Sequence, residues 1–211
     1  MKEEEKTLLS NPPQKVALMY QAVIDLVNDN VNLNTIKVID ITKRAGIGKG
    51  TAYEYFSSKE EIITKALMYD TLTRVEEVVE ITENEKTFEG KIKGVLDYME
   101  QHFCENRSFC QLFKIGMGAY DVADRFYQEF LKIQDIVNCQ QLEKIEDSIM
   151  ESAAKEGLIK ETNIMKRRMT LCAQVISFSL LLLTKQQKQQ DDLSIEMGKQ
   201  FVYESIIKAL N

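Results

Sequence analysis

Ammonium, hydroxyl and carboxylate groups are concentrated in a short segment that contains Lys49, Thr51, Tyr53 and Glu54. Lysine and hydroxyl side chains donate hydrogen bonds to phosphate oxygens and to base edges, and a carboxylate accepts one from the amino group of cytosine. If these side chains share the exposed face of one helix, they suit the major groove of DNA. The chemistry that this segment favours is therefore nucleic-acid recognition.

Two short helices around a glycine turn are predicted to position these side chains. Ile41 and Ala45 lie four residues apart and share one helical face, and Gly46 follows them as the turn residue. Ala52 and Phe56 repeat the four-residue spacing and can pack back on the first helix. This arrangement is typical of a helix-turn-helix DNA-binding motif.

The same segment resembles the TetR/AcrR family of bacterial one-component regulators. The resemblance is carried by the run AGIGKGTAYEYFSSKE at 45–60, in which the order Gly-Thr-x-Tyr-x-Tyr-Phe-x-x-Lys-Glu combines groove-facing, core and helix-start positions. It is specific over about residues 14–65 and extends beyond them only as a layout. The resemblance implies an all-α protein with an N-terminal three-helix DNA-binding domain, followed by a larger helical ligand-binding and dimerisation domain.

Composition independently favours an all-helical chain, and its length is compatible with the division that the resemblance implies. The 211 residues include only two prolines and nine glycines, and no convincing strand period follows residue 36. We expect a flexible arm over 1–13, the helix-turn-helix domain over 14–60, and the effector-binding and dimerisation domain over 61–211. A long helix from Lys59 to about Thr82 is expected to join the two domains.

Charge is divided unevenly along the chain. The net charge is −6, yet residues 6–60 contain seven lysines or arginines against five aspartates or glutamates. Local charge governs contact with phosphates, so the acidity of the remainder does not exclude DNA binding. It does predict modest nonspecific affinity with strong salt dependence.

Residue roles in DNA binding follow from the chemistry and from the resemblance. Lys49 is the predicted base-reading residue, whereas the family positions of Thr51, Tyr55 and Lys59 imply phosphate contacts. Tyr55 has the alternative role of packing the small domain. The chain departs from the family pattern at Gly48, Lys37 and Ile39. Glu54 has two alternative roles: it reads cytosine or it pairs with a nearby lysine. The predicted DNA-binding residues are Lys49, Gly50, Thr51, Tyr53, Glu54, Tyr55, Lys59, Lys37, Ile39 and Lys15.

Phenylalanine, tyrosine and methionine are frequent between residues 88 and 130, where the resemblance implies an effector pocket. Such a stripe at helical spacing is also compatible with plain core. If a pocket exists, an apolar ligand with few polar anchors is expected, and His102, Gln111 and Tyr120 are the predicted anchors. The predicted pocket residues are Met99, His102, Phe103, Gln111, Phe113, Met117, Tyr120, Phe126 and Met169.

The last two predicted helices, 163–188 and 192–210, carry apolar stripes. By resemblance they form a four-helix bundle with their symmetry mates in a homodimer, since two motifs are needed to span two half-sites. The alternative is that the stripes close the core of a single chain. The predicted interface residues are Ile176, Leu180, Leu183, Phe201, Val202 and Ile206.

Several other classes find no support in the sequence. One histidine and the lack of a nucleophile turn or Gly-rich phosphate loop argue against an enzyme, and no metal or cofactor is expected. Cys104 and Cys110 leave a thiol switch open. The apolar run 171–183 falls short of the roughly 20 residues that span a bilayer, and no signal peptide is apparent, so we expect a cytoplasmic protein without a membrane partner.

Together these observations predict a sequence-specific DNA-binding transcriptional regulator. We expect a repressor that a small, largely apolar effector releases from a palindromic double-stranded operator. Two alternatives stay open: a helical ligand-binding or protein-interaction module that has lost DNA reading, and an activator of the same family.

Overall fold

The computed structural model describes residues 7–105, 107–118, 123–134, 140–188 and 192–211. Within these ranges the regular secondary structure is helical, as predicted. After a helical turn at 7–10, the helices are α1 (Gln14–Asn28), α2 (Val38–Arg44), α3 (Lys49–Tyr55), α4 (Lys59–Asn84), α5 (Phe88–Glu105), α6 (Arg107–Gly116), α7 (Asp124–Gln134), α8 (Gln140–Lys155), α9 (Ile164–Lys188) and α10 (Asp192–Leu210).

The chain forms two compact units whose boundary lies inside α4, between Arg74 and Val75. The first unit combines α1 to α3 and the start of α4 with α6 and α7, and the second combines the rest of α4 with α5 and α8 to α10. This division differs from the boundary expected at residue 60. The reason is that Ile115 and Phe126 on α6 and α7 are fully buried in the same core as the helix-turn-helix.

The core of the first unit follows the predicted helical faces. Val16, Met19, Tyr20 and Val23 on α1 are completely buried, as expected from their three- and four-residue spacing. Other fully buried members come from the following helices and their loops: Ile36, Ile41, Ala52, Ile63, Ala66 and Leu67. Burial of apolar side chains on these short helices holds them together, because helices of seven residues are not stable alone.

Part of the expected N-terminal arm belongs to this core. Residues 7–10 are helical, and Leu9 is 4% exposed and packs with the core residues. The expectation of a flexible arm therefore does not apply to Leu9. Burial of an apolar side chain stabilises the folded chain, so Leu9 packs on the core and is not solvated. The charged residues around Leu9 hid this apolar position in the sequence.

The second unit is held by ion pairs of the buried Lys199 as well as by an apolar core. The ammonium of Lys199 on α10 lies 2.6 Å from Asp97, 2.7 Å from Glu100 and 2.8 Å from Glu196. A Cβ on Gly198 would lie 2.4 Å from a terminal carbon of Leu181, so α9 and α10 approach closely at this glycine. These contacts fix the antiparallel pair α9 and α10 against α5.

Candidate nucleic-acid interface

The turn between α2 and α3 is closed by backbone hydrogen bonds. The N–H of Ile47 donates to the carbonyl of Thr42 at 3.0 Å and that of Gly46 to Lys43 at 3.3 Å, the pattern of a Schellman helix end. Gly46 has φ of 68°, a left-handed conformation that glycine adopts without strain. The predicted turn glycine is thus confirmed, and Gly48 then precedes the first residue of α3.

The outer face of α3 presents the side chains that the sequence predicted. Lys49, Gly50 and Glu54 are exposed, and Tyr53 is 54% exposed. Lys49 Nζ lies 5.9 Å from the centroid of the Tyr53 ring, within the range of a cation–π contact. Among the described residues, the side chain of Glu54 has neither an ion pair nor a hydrogen bond, so the alternative of pairing with a neighbouring lysine is not found within that part of the chain.

Thr51 and Tyr55 are half-buried on the same helix. The Tyr55 ring packs on the core of the first unit, with its centroid 6.4 Å from that of the buried Phe56. Tyr55 thus takes the alternative role of packing the small domain, and its phosphate contact stays a prediction.

Lys59 has contacts that sequence reasoning missed. Its Nζ donates to the carbonyl oxygens of Asn34 at 2.8 Å and Ile36 at 2.9 Å. An ammonium has three N–H donors, so one donor is left for a phosphate. Lys59 thus ties the loop before α2 to the start of α4, in addition to its predicted role.

The N-terminus of α4 is capped by side chains of the adjoining serines. Ser58 Oγ accepts from the N–H of Glu61 at 3.1 Å, and Glu61 accepts from the N–H of Ser57 at 2.8 Å. Burial opposes ionisation of Glu61, but hydrogen bonds from Lys65 and Ser57 outweigh it and lower its pKa. The charged Glu61 fixes the turn between α3 and α4.

The start of α2 holds two further predicted DNA-binding residues. Lys37 and Ile39 are both exposed, Ile39 at 49%. Asp40 accepts from the backbone N–H of Lys37 at 2.9 Å and so caps the helix. At the other end of α2, Arg44 pairs with Asp29 at 2.7 Å, which connects α2 to the end of α1.

An open concavity of about 840 Å³ lies between these elements. It gathers residues from three parts of the first unit: the start of α2, the outer face of α3 and the start of α4, with one residue of α7. Its lining consists of Asn34, Thr35, Lys37, Val38, Ile39, Lys49, Tyr53, Ser57, Ser58, Lys59, Glu60 and Arg125. Five predicted residues come together here, whereas Lys15 is exposed on α1 and is not part of this lining.

The predicted effector residues are distributed over both units. In the first unit, Phe126 is fully buried in the core and Met117 is 54% exposed, with Gln111 and Phe113 half-buried. Phe126 therefore follows the alternative of plain core. Tyr120 lies outside the described residues.

In the second unit, Met99 is buried, whereas Met169 is 65% exposed at the surface of α9 and so does not line an enclosed cavity within that unit. His102 stacks on Tyr98 with ring centroids 4.2 Å apart, and the Tyr98 hydroxyl donates to Glu77 at 2.8 Å. The side chain of Phe103 lies outside the described residues.

The predicted interface residues divide into two groups. Ile176 and Leu180 are each 43% exposed and Phe201 is 62% exposed, with Leu183 half-buried. Val202 and Ile206, by contrast, are 3% and 0% exposed. The interface prediction is wrong for these two residues, because helical spacing turns them into the core of their own unit.

The described residues contain few side chains suited to thiol chemistry or to metal binding. Burial and the carboxylate of Glu146 raise the pKa of Cys172 to about 11, so its thiol stays protonated at neutral pH. The side chain of Cys110 is buried, and that of Cys104 lies outside the described residues. No group of three metal-ligating side chains occurs in the described part of the chain.

A membrane-spanning segment is likewise not found among the described helices: none is both long and apolar enough to cross a bilayer.

In the described residues the fold is helical, and the candidate interface has the geometry of a helix-turn-helix DNA-binding motif. Residues 34–66 match the family of bacterial regulatory proteins called the tetR family. Within that match lie the turn glycine, the exposed face of α3 and the start of α4.

Two solved structures show the same fold over nearly the whole chain. FadR of Bacillus subtilis, solved with stearoyl-CoA, has a TM-score of 0.64 at 19% identity, covering 92% of this chain and 99% of its own. FadR of Bacillus halodurans, a fatty acid degradation regulator, has a TM-score of 0.61 at 16% identity, covering 93% and 95%. No curated protein sequence matches the chain. The segment 34–66 is thus similar to the tetR family of bacterial regulatory proteins, and the chain has the fold of these two solved structures.

Proposed function

We propose that this protein is a TetR-family regulator, a homodimeric repressor of a palindromic operator. The observation that carries the proposal is the concavity in which Lys37, Lys49, Tyr53 and Lys59 converge at an open, helix-turn-helix surface. Cationic and hydroxyl donors from three helix ends suit a phosphate backbone, and the exposed pair Lys49 and Tyr53 suits base edges. An intact exposed face argues against the module that has lost DNA reading.

Dimerisation is proposed from the apolar surface of α9 and α10. Ile176, Leu180 and Phe201 are exposed in the single chain together with Met165 and Met197. Several large apolar side chains exposed on one pair of helices are typical of an interaction site. A two-fold dimer presents two copies of α3 to half-sites about one helical turn apart, which implies a palindromic operator.

The effector is proposed to be apolar and to act through the helices after residue 61. FadR of Bacillus subtilis holds stearoyl-CoA, a ligand whose acyl chain belongs to the apolar class expected for this chain. Binding of such a ligand weakens DNA binding only if it favours a conformation that the operator disfavours, and the coupling is then reciprocal. Release from DNA by an acyl thioester is accordingly the repressor model to test.

The test is titration of the purified protein into a labelled fragment of its own upstream DNA, with random duplex as competitor, at two salt concentrations. Saturable binding that resists competitor, with two chains per site, supports the proposal. Weak binding that random DNA competes away as effectively as the upstream fragment supports a module without DNA reading. Addition of stearoyl-CoA should release the specific complex, and a reporter gene that falls rather than rises in the presence of the protein separates a repressor from an activator.

A further inference from the structure

Arg125 lies outside the helix-turn-helix segment but lines the same concavity as its predicted DNA-binding residues. It is the second residue of α7, and its side chain is 80% exposed. Lys49 and Lys59 line that concavity from α3 and α4. A guanidinium at this edge extends the cationic surface beyond the segment that the family match covers.

Asn34 fixes the start of α7 beside the start of α4. Its Oδ1 accepts a hydrogen bond from the backbone N–H of Ala123 at 3.2 Å, and its carbonyl oxygen accepts from Lys59 at 2.8 Å. One residue therefore contacts both a predicted phosphate-binding lysine and the residue two positions before Arg125. The side chain of Asn34 thereby helps to set the position of Arg125 relative to the helix-turn-helix.

The contact between Arg125 and Glu60 leaves the guanidinium donors available. Arg125 Nε lies 3.7 Å from Glu60 Oε1, beyond hydrogen-bond distance, and the Glu60 side chain is 7% exposed. A buried carboxylate at this distance orients the arginine, while the exposed guanidinium retains its five N–H donors. A planar fork of donors matches the two oxygens of a phosphate.

We propose that Arg125 binds a phosphate of the DNA backbone and thereby adds a contact from α7 to those of the helix-turn-helix. Asn34 is the positioning residue for this contact. The proposal deepens the proposed function, on which it rests. A contact from α7 also places a residue of the C-terminal part of the chain directly on DNA.

The test compares Arg125→Gln with Lys132→Gln, which removes the same charge from the same helix at a residue outside the concavity. Binding to the upstream fragment and to a random duplex is measured over a series of salt concentrations. Arg125→Gln should weaken binding to both duplexes about tenfold and reduce the slope of log K against log salt by about 0.9, the value for one phosphate contact. Lys132→Gln should leave the slope unchanged.

Two controls separate the outcomes. In the Asn34→Ala background, Arg125→Gln should change the salt slope less than it does in the unaltered protein, because Arg125 is no longer held in place. Thermal unfolding should show that Arg125→Gln, at an exposed position, stays folded. An unchanged slope in Arg125→Gln overturns this proposal alone, whereas no duplex binding by the unaltered protein overturns the proposed function and this proposal with it.

Discussion

The ammonium of Lys59 lies 2.8 Å from the carbonyl oxygen of Asn34 and 2.9 Å from that of Ile36. These bonds close the loop before α2 onto the first residue of α4. The lysine that the family pattern implies as a phosphate contact is therefore also a structural crosslink of the domain. Two effects must consequently be separated when this residue is changed.

Lys59→Ala should both destabilise the protein and weaken its binding to every DNA sequence. Loss of charge-assisted hydrogen bonds to two carbonyl groups is expected to cost about 1–3 kcal/mol of unfolding free energy. Urea unfolding measures this change, and titration with operator and random duplex measures the affinity. The matched control is Lys43→Ala, at an exposed lysine of α2 whose side chain has no ion pair or hydrogen bond among the described residues. Weaker binding without any loss of stability would show that the carbonyl contacts contribute little.

Lys49→Ala should reduce binding to the operator by about 1–3 kcal/mol, because a base-edge contact is lost. Random duplex should lose less, and stability should not change, since Lys49 is exposed on α3. Competition titrations give the ratio of specific to nonspecific affinity. Lys43→Ala again serves as the control for loss of one positive charge. Equal losses on operator and random DNA would show that Lys49 contacts phosphate and not bases.

Glu54→Gln should strengthen binding to operator and random DNA alike. Glu54 is exposed and has no partner among the described residues, so its charge repels phosphates without compensation. The gain is expected to be on the order of 1 kcal/mol or less, as for other exposed charges. Glu80→Gln removes a carboxylate from an exposed position of the second unit and is the control. A loss of affinity confined to the operator would instead identify Glu54 as a reader of cytosine.

Phe201→Glu should convert the proposed dimer to a monomer without unfolding the chain. Phe201 is 62% exposed on α10, so a charge there is solvated in the monomer but buried and unpaired in a dimer. Sedimentation velocity reports the mass, and circular dichroism reports the helix content. Val202→Glu is the contrasting variant, since burial of Val202 predicts loss of the fold itself. A dimer that persists in Phe201→Glu at micromolar concentration would place the interface elsewhere.

The helix-turn-helix could be predicted from the residue spacing within one short segment of the sequence. The four-residue spacings identified the buried faces of α2 and α3, and Gly46 was recognisable because a left-handed turn favours glycine. The exposed face of α3 then followed directly, since residues that are not needed for the core point outward. Helical periodicity is a local property, so one chain segment is enough to read it.

Periodicity did not distinguish the apolar residues of α10 that face the chain's own core from those that face solvent. Val202 and Phe201 are neighbours of similar apolarity, yet one is 3% and the other 62% exposed. Both belong to a helix that is apolar on more than one side. Only the packing of α9 and α5 against α10 decides which side is covered.

The sequence by itself thus determined an all-helical chain, the family of its DNA-binding segment and the residues of α3 that face outward. The tertiary structure decided that α6 and α7 share the core of that segment, that Lys59 binds two carbonyl groups, and that Arg125 joins the concavity. These features depend on pairs such as Asn34 with Ala123 and Glu60 with Arg125, which are distant in the chain. Side-chain spacing encodes which face of a helix is buried, but the partner that buries it is selected by packing of the whole unit.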